Sequence, residues 1–182
     1  MKELLQIRTD RVTLRRFCLD DLSAFQAYRR DPELAKYQGW QPTSDDKARS
    51  FLAEQSDQVL GPEGQWLQVA VTCTLSKRLI GDIGLCVSDA EHSVAMIGFT
   101  ISRDYQRQGY ATEAIRVLLT RLLDIGDEIQ TVVAVTDARN TPSVMLLRRL
   151  GFVLTQTEKA VFRGAPCTEH TFEITALMWR ET

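Results

Sequence analysis

The sequence predicts an α+β fold: a central, mixed but mostly antiparallel sheet flanked by helices. Three observations carry that expectation. Three β-rich runs follow one another at residues 66–74, 79–88 and 94–102; a glycine-opened amphipathic helix comes directly after the third; and two further β-rich arms face each other across Arg163-Gly164-Ala165-Pro166. The 182 residues suffice for one compact domain burying roughly 70% of the surface its unfolded chain exposes. Apolar residues at 44% and charged residues at 25% are ordinary for a chain that folds by itself and exclude a disordered one.

Taken in order, residues 12–17 alternate in the manner of a strand. Asp20 and Asp21 then stand where acids favour a helix N-terminus, ahead of Leu22, Phe25 and Tyr28, so a helix is expected over residues 19–30. Asp31-Pro32 breaks it. After an irregular stretch at 37–42, Thr43-Ser44-Asp45-Asp46 offers an N-cap for a second helix carrying Phe51, Leu52 and Val59, ended by Gly61-Pro62-Glu63-Gly64. The three central runs, separated by polar stretches around Ser76-Lys77 and Asp89-Ala90-Glu91, read as an antiparallel meander.

A helix follows over residues 109–125, its apolar face formed by Ala111, Ala114, Ile115, Leu118, Leu122 and Ile125. Next come a strand at 131–135 and a short helix that Pro142 starts and Gly151 stops. The terminal hairpin has arms at 152–162 and 168–178. With no internal repeat, low-complexity tract or linker, residues 1–182 are expected to form one domain with its core at about residues 8–178.

A formal net charge of -2, from 22 basic and 24 acidic residues, gives no global attraction to nucleic acid or to an anionic membrane, and neither is expected as a partner. The charged stretch from Met1 to Asp10 lacks the apolar core of a signal peptide, and no apolar run approaches the ~18 residues that span a bilayer. A cytoplasmic location is the expectation. Cys18, Cys73, Cys86 and Cys167 lack CxxC spacing, and the chain's two histidines are His92 and His170, so no metal site is expected. The cysteines read as small buried hydrophobes on strands.

Chemistry concentrates in Gln106-Arg107-Gln108-Gly109-Tyr110-Ala111-Thr112, between the third central strand and its helix. The first amides of a helix lack intrahelical acceptors and sit at the positive end of its dipole, which suits a phosphate or pyrophosphate. Gly109 permits close backbone approach, Arg107 adds a positive charge, and Ala111 and Thr112 leave the helix entrance open. Neither GxxxxGK[ST] nor GxGxxG is present, which sets aside a nucleotide P-loop and a dinucleotide fold.

The stretch Gln106 to Ala111 resembles the Q/R-x-x-G-x-G/A element of the GNAT N-acetyltransferases. With Thr112-Glu113-Ala114 it is similar to the GYATEA run of the RimJ/RimL-like, ribosomal-protein alanine acetyltransferase branch. Ile80-Gly81-Asp82-Ile83-Gly84-Leu85 resembles that branch's third strand, Ile97-Gly98-Phe99 its fourth, and Asn140-Thr141-Pro142-Ser143 with Leu150-Gly151-Phe152 its N-x-x-S and G-F elements.

The resemblance implies a sheet splayed between the family's fourth and fifth strands, with the pantetheine arm of acetyl-CoA lying in the opening against the main chain of Phe99, Thr100 and Ile101. It implies the pyrophosphate on residues 106–112, Asn140 on the pantetheine or its lining backbone, and direct acetyl transfer to an amine on a peptide N-terminus or a small molecule. It also implies a monomer or homodimer. A non-catalytic module that binds or senses acyl-CoA is the alternative.

Such transfer requires a neutral amine, a donor for the developing oxyanion, and a proton for the departing thiolate. The resemblance points to Ser143 for that proton, because the tyrosine many members carry four places before the G-F glycine is here Leu147. The base is not identified: the family's A-E-I-G-Y reads Ala95-Met96-Ile97-Gly98-Phe99 here, and a thioether takes no proton. Glu91, His92, Glu158, Glu169 and Glu173 are candidates. For the acceptor wall, the resemblance directs attention to Tyr37, Trp40, Asp45 and Asp46.

Overall fold

The computed structural model describes residues 6–60, 64–87, 93–125 and 128–181. Eight strands form one sheet in the order β1-β2-β3-β4-β5-β6-β8-β7. They are β1 (Gln6–Arg8), β2 (Val12–Arg15), β3 (Trp66–Cys73), β4 (Leu79–Val87), β5 (Val94–Ile101), β6 (Thr131–Asp137), β7 (Val153–Phe162) and β8 (Ala165–Thr175). Because of β1, the strand likened above to the family's fourth is β5, and β6 is its fifth. Every neighbouring pair is antiparallel except β5 and β6.

Side-chain alternation divides the core between the two faces. Leu67, Val69 and Val71 of β3 pack with Ala114, Ile115, Leu118 and Leu119 of helix α4 (Tyr110–Leu119), whereas Ala70 packs with Phe17, Phe25, Tyr28 and Leu52. The second group includes side chains of α1 (Leu22–Arg29) and α3 (Asp45–Asp57). Covered on both faces, β4 is buried along its whole length, which is why Leu79 to Val87 reads as a near-continuous apolar run. An ion pair crosses this interior: Arg29 of α1 donates to Asp82 of β4, which also accepts from the Tyr28 hydroxyl at 3.0 Å.

Several elements depart from expectation. Asp31 does end α1, but its carboxylate also accepts from Glu33 N at 3.0 Å and so caps a further short helix, α2 (Pro32–Ala35). The helix expected over 109–125 is regular only to Leu119. At residue 120 the Thr120 hydroxyl donates back to Arg116 O at 3.1 Å, and the chain continues to Ile125 as a wider π-helical turn. In the terminal hairpin, Arg163 and Gly164 alone form the turn, with φ of 52° and 78°, and Pro166 already lies in β8.

The second arm of that hairpin stops at Thr175, whose hydroxyl caps helix α6 (Ala176–Arg180). Cys86 and Cys167 are buried as expected, but Cys18 is exposed, because β2 ends at Arg15 and Cys18 precedes a 3-10 turn at Leu19–Asp21. Among the described residues, no helix is long and apolar enough to cross a membrane.

Candidate active site

β5 and β6 pair for three residues only, Val94 with Thr131, Ala95 with Val132 and Met96 with Val133, and then diverge. On its other side β5 stays paired with β4 as far as Ile101. Ser102 N donates to Ile80 O at 2.8 Å, so by antiparallel alternation Thr100 and Gly98 direct their main-chain groups at β4. Those of Phe99 and Ile101 face the opening toward β6. Side chains reach both carbonyls: Gln38 Nε2 donates to Phe99 O at 3.2 Å and Gln106 Nε2 to Ile101 O at 2.9 Å.

The opening is part of a cavity of about 940 Å³. One end is the N-terminus of α4. Gly109, at φ 84° and ψ -1°, occupies the N-cap position, and no side chain caps the helix. The first intrahelical bond runs from Glu113 N to Gly109 O at 3.0 Å, so the amides of Tyr110, Ala111 and Thr112 precede the helical ladder. All three residues line the cavity, as do Gln106, Arg107 and Gly109. Arg107 is exposed, lies at φ 59°, and takes part in no ion pair among the described residues. The side chain of Gln108 turns elsewhere and donates to Asp104 O at 2.7 Å.

This loop is braced by a residue that the sequence did not single out. Arg11 donates to Gln108 O at 3.0 Å, pairs with Glu113 at 2.6 Å, and stacks 5.2 Å over the Tyr110 ring. Glu113 also accepts from the Thr9 hydroxyl. Partial burial alone would raise the Glu113 carboxyl, but the bonds from Thr9 and Arg11 outweigh it and leave the carboxyl below its ordinary range. The glutamate of the GYATEA run thus ties the head of α4 to the turn between β1 and β2.

On the other side of the opening, α5 (Thr141–Arg149) begins after Asn140, which stands at its N-cap and whose amide donates to Thr136 Oγ1 at 3.2 Å. Asn140, Ser143 and Arg149 line the cavity. Leu147, at the family's tyrosine position, is only 1% exposed and belongs to the core.

The roof comes from α2 and the residues after it, through Glu33, Leu34, Tyr37 and Gln38. At one end Asp31 pairs with Arg103, just beyond β5, at 2.6 Å. At the other, the Tyr37 hydroxyl reaches Arg139 O at 3.4 Å, and Arg163 of the hairpin turn donates to Gln38 O at 2.8 Å and also to Trp40 O. Tyr37 therefore lines the cavity, whereas Asp45 is engaged with Gln26 and Arg30 away from it. Asp46 and Trp40 are not on the wall.

Of the candidate bases, Glu158, Glu169 and Glu173 lie in the hairpin sheet off the cavity wall, and Glu173 accepts from the Thr155 hydroxyl at 3.0 Å. Glu91 and His92 fall outside the described residues. Among the described residues, the carboxylate on the wall is that of Glu33, which is exposed.

Two parallel strands that part and leave one edge's main chain facing a roofed cavity, with an uncapped helix at its end, form a receptacle for a long ligand with an anionic head. This is the architecture of an acyl-CoA-dependent N-acyltransferase. Residues 11–153 match the Acetyltransferase (GNAT) domain, and the chain belongs to that family. It is 32% identical over 148 residues to the uncharacterized N-acetyltransferase p20 of Bacillus licheniformis, covering 79% of this chain and 80% of that protein.

The fold is similar to that of a GNAT-family acetyltransferase from Bacillus anthracis, with TM-score 0.81 and 20% identity over 94% of this chain and 98% of that one. It is also similar to RimL, a ribosomal L7/L12 α-N-protein acetyltransferase solved in complex with coenzyme A. There the TM-score is 0.77 at 17% identity, covering 92% of this chain and 95% of that one.

Proposed function

We propose that this N-acetyltransferase moves the acetyl group of acetyl-CoA onto an α-amine or a comparably weak amine base, on a peptide N-terminus or a small molecule. The observation that carries the reading is the continuity of one cavity from the α4 amides to the gap-facing main chain of Phe99 and Ile101. The pyrophosphate fits the amides of residues 109–112 with Arg107 beside them. The pantetheine arm fits along Phe99 and Ile101, with Thr100 holding that strand to β4 and Asn140 on the far wall.

The amine attacks the thioester carbonyl; a C–N bond forms, the C–S bond breaks, and the sulfur leaves with the electron pair. In this reading a gap-facing N–H of β5 donates to the developing oxyanion, and the Ser143 hydroxyl protonates the thiolate. Among the described residues no carboxylate other than that of Glu33 reaches the wall. An acceptor that is already partly neutral is favoured by such a wall. At pH 7 an α-amine with pKa near 7.8 is neutral about 300 times more often than a lysine with pKa near 10.4.

A peptide bearing both a free N-terminus and a lysine tests this, with thiol release followed continuously and the product mapped by fragmentation. N-terminal acetylation at least tenfold faster than lysine acetylation is expected at pH 7. Faster lysine acetylation refutes the acceptor assignment. Binding of acetyl-CoA without thiol release across a broad amine panel favours the sensing alternative.

A further inference from the structure

The roof carries a polar side chain that is held in place and still has a hydrogen-bonding atom to spare. Gln38 Nε2 donates to Phe99 O at 3.2 Å. A carbonyl only accepts, so the amide has one orientation, with nitrogen on the strand and Oε1 turned away from it. Oε1 has no partner among the described residues, and Gln38 lines the same cavity as the α4 amides.

The backbone around Gln38 is fixed from several directions. Arg163 donates to the carbonyls of Gln38 and Trp40, and the Tyr37 hydroxyl bonds Arg139 O. The Trp40 ring packs 4.5 Å from the Arg29 guanidinium, which is itself paired with the buried Asp82. Gln38 thus starts from a fixed backbone, and its amide is tethered to the strand by the bond to Phe99 O.

Its place along the cavity also matters. The Asp31–Arg103 pair sets the start of the roof at the C-terminal end of β5, next to the loop for the anionic head. Gln38 lies further in, at Phe99, toward the apex where β5 and β6 meet at Met96 and Val133. A ligand anchored by its phosphates at α4 and running along β5 brings its reactive end to that apex. Glu33 sits at the loop end of the roof; nearer the apex the roof offers the neutral amide of Gln38.

We infer that Gln38 Oε1 accepts a hydrogen bond from an N–H of the acceptor amine and aims its lone pair at the thioester carbonyl. This rests on the function proposed above. Gln38 takes no proton: as the C–N bond forms and the C–S bond breaks, the proton lost by nitrogen passes to solvent, and the thiolate is protonated separately. A neutral acceptor of this kind selects an uncharged amine by alignment and leaves the deprotonation equilibrium to the amine itself.

The full chain carrying Gln38→Met, which keeps length and removes both hydrogen-bonding atoms, is compared with Gln38→Glu, which keeps an acceptor oxygen. Gln38→Met is expected to lower kcat/KM for the amine by at least about tenfold, with acetyl-CoA affinity by calorimetry within about twofold of wild type. Gln38→Glu keeps an acceptor oxygen but gives up the Nε2 bond to Phe99 O, so it is expected to recover only part of that loss, and to extend activity to lower pH, because a carboxylate can also take the proton.

A parallel loss of acetyl-CoA affinity and amine rate overturns the inference and reduces Gln38 to a tether for β5. Tighter acetyl-CoA binding with an unchanged amine rate overturns it as well, making Gln38 a competitor for Phe99 O. If wild-type protein binds acetyl-CoA and acetylates no amine, the proposed function itself fails and takes this inference with it, an outcome visible before any variant is made.

Discussion

Gly109 separates backbone strain from ligand electrostatics if it is replaced first by alanine and then by aspartate. Its φ of 84° lies in the left-handed region, where a residue with a Cβ costs about 1–2 kcal/mol. The added Cβ would also lie 3.2 Å from Arg11 Nη2, the flexible end of a side chain that can shift by a few tenths of an ångström. For a chain of this size each kcal/mol moves Tm by about 2–4 °C, so Gly109→Ala should melt about 2–8 °C lower by calorimetry. Aspartate tolerates the left-handed region better and should fall at the lower end.

Only aspartate adds charge. A carboxylate about 6 Å from a bound phosphate, at an effective dielectric of about 40, costs about 1.4 kcal/mol, or tenfold in Kd. Titration calorimetry with acetyl-CoA should therefore show Gly109→Asp binding at least tenfold more weakly than Gly109→Ala. Equal affinities of the two variants refute the placement of the anion at α4. A Gly109→Ala protein that melts with wild type refutes the strain argument.

Asp82→Ala removes the partner of Arg29, whose side chain is 8% exposed, and should cost about 3–5 kcal/mol in urea denaturation; a loss under about 1 kcal/mol contradicts the buried-pair reasoning. The Arg103 guanidinium beside Asp31 holds that carboxyl below the usual carboxylate range. Stability from a carboxyl lowered on folding is fully present above its unfolded pKa of about 4 and is lost as pH falls through the folded value. The melting difference between wild type and Asp31→Asn, which preserves the α2 cap, should accordingly hold from pH 7 to about 5 and shrink below about 4. A difference that widens in acid would reverse the sign.

The meander was legible to within a residue or so, because alternation and two-sided burial leave a plain mark in Trp66 to Ile101. The loop at Gly109 was legible because a glycine between a strand and an amphipathic helix marks an open helix N-terminus. The roof was not. Pro32 reads as a stop for α1, and nothing local shows that Asp31 simultaneously starts α2. Gln38 and Arg11 gain their roles only from partners on distant strands and helices, Phe99 and Glu113, through pairings no local pattern encodes. Arg163-Gly164 was blurred by Ala165-Pro166, since a proline at the mouth of a strand resembles the turn it follows. In the sequence the GYATEA glutamate is a motif letter; its reason, a brace to Thr9 and Arg11, is a tertiary fact.

The seam of three paired residues between β5 and β6 is the whole backbone ladder joining β1–β5 to β6–β8, and the rest of the joint is side chains of one shared core. The ligand arm proposed to bond the free edge of β5 would act as a splint across the part of the joint that the chain leaves unstitched. Part of the binding free energy would then go into stiffening that joint. Slower amide hydrogen exchange in Ala134 to Asp137, on the side of the joint facing the ligand, is how that stiffening would register.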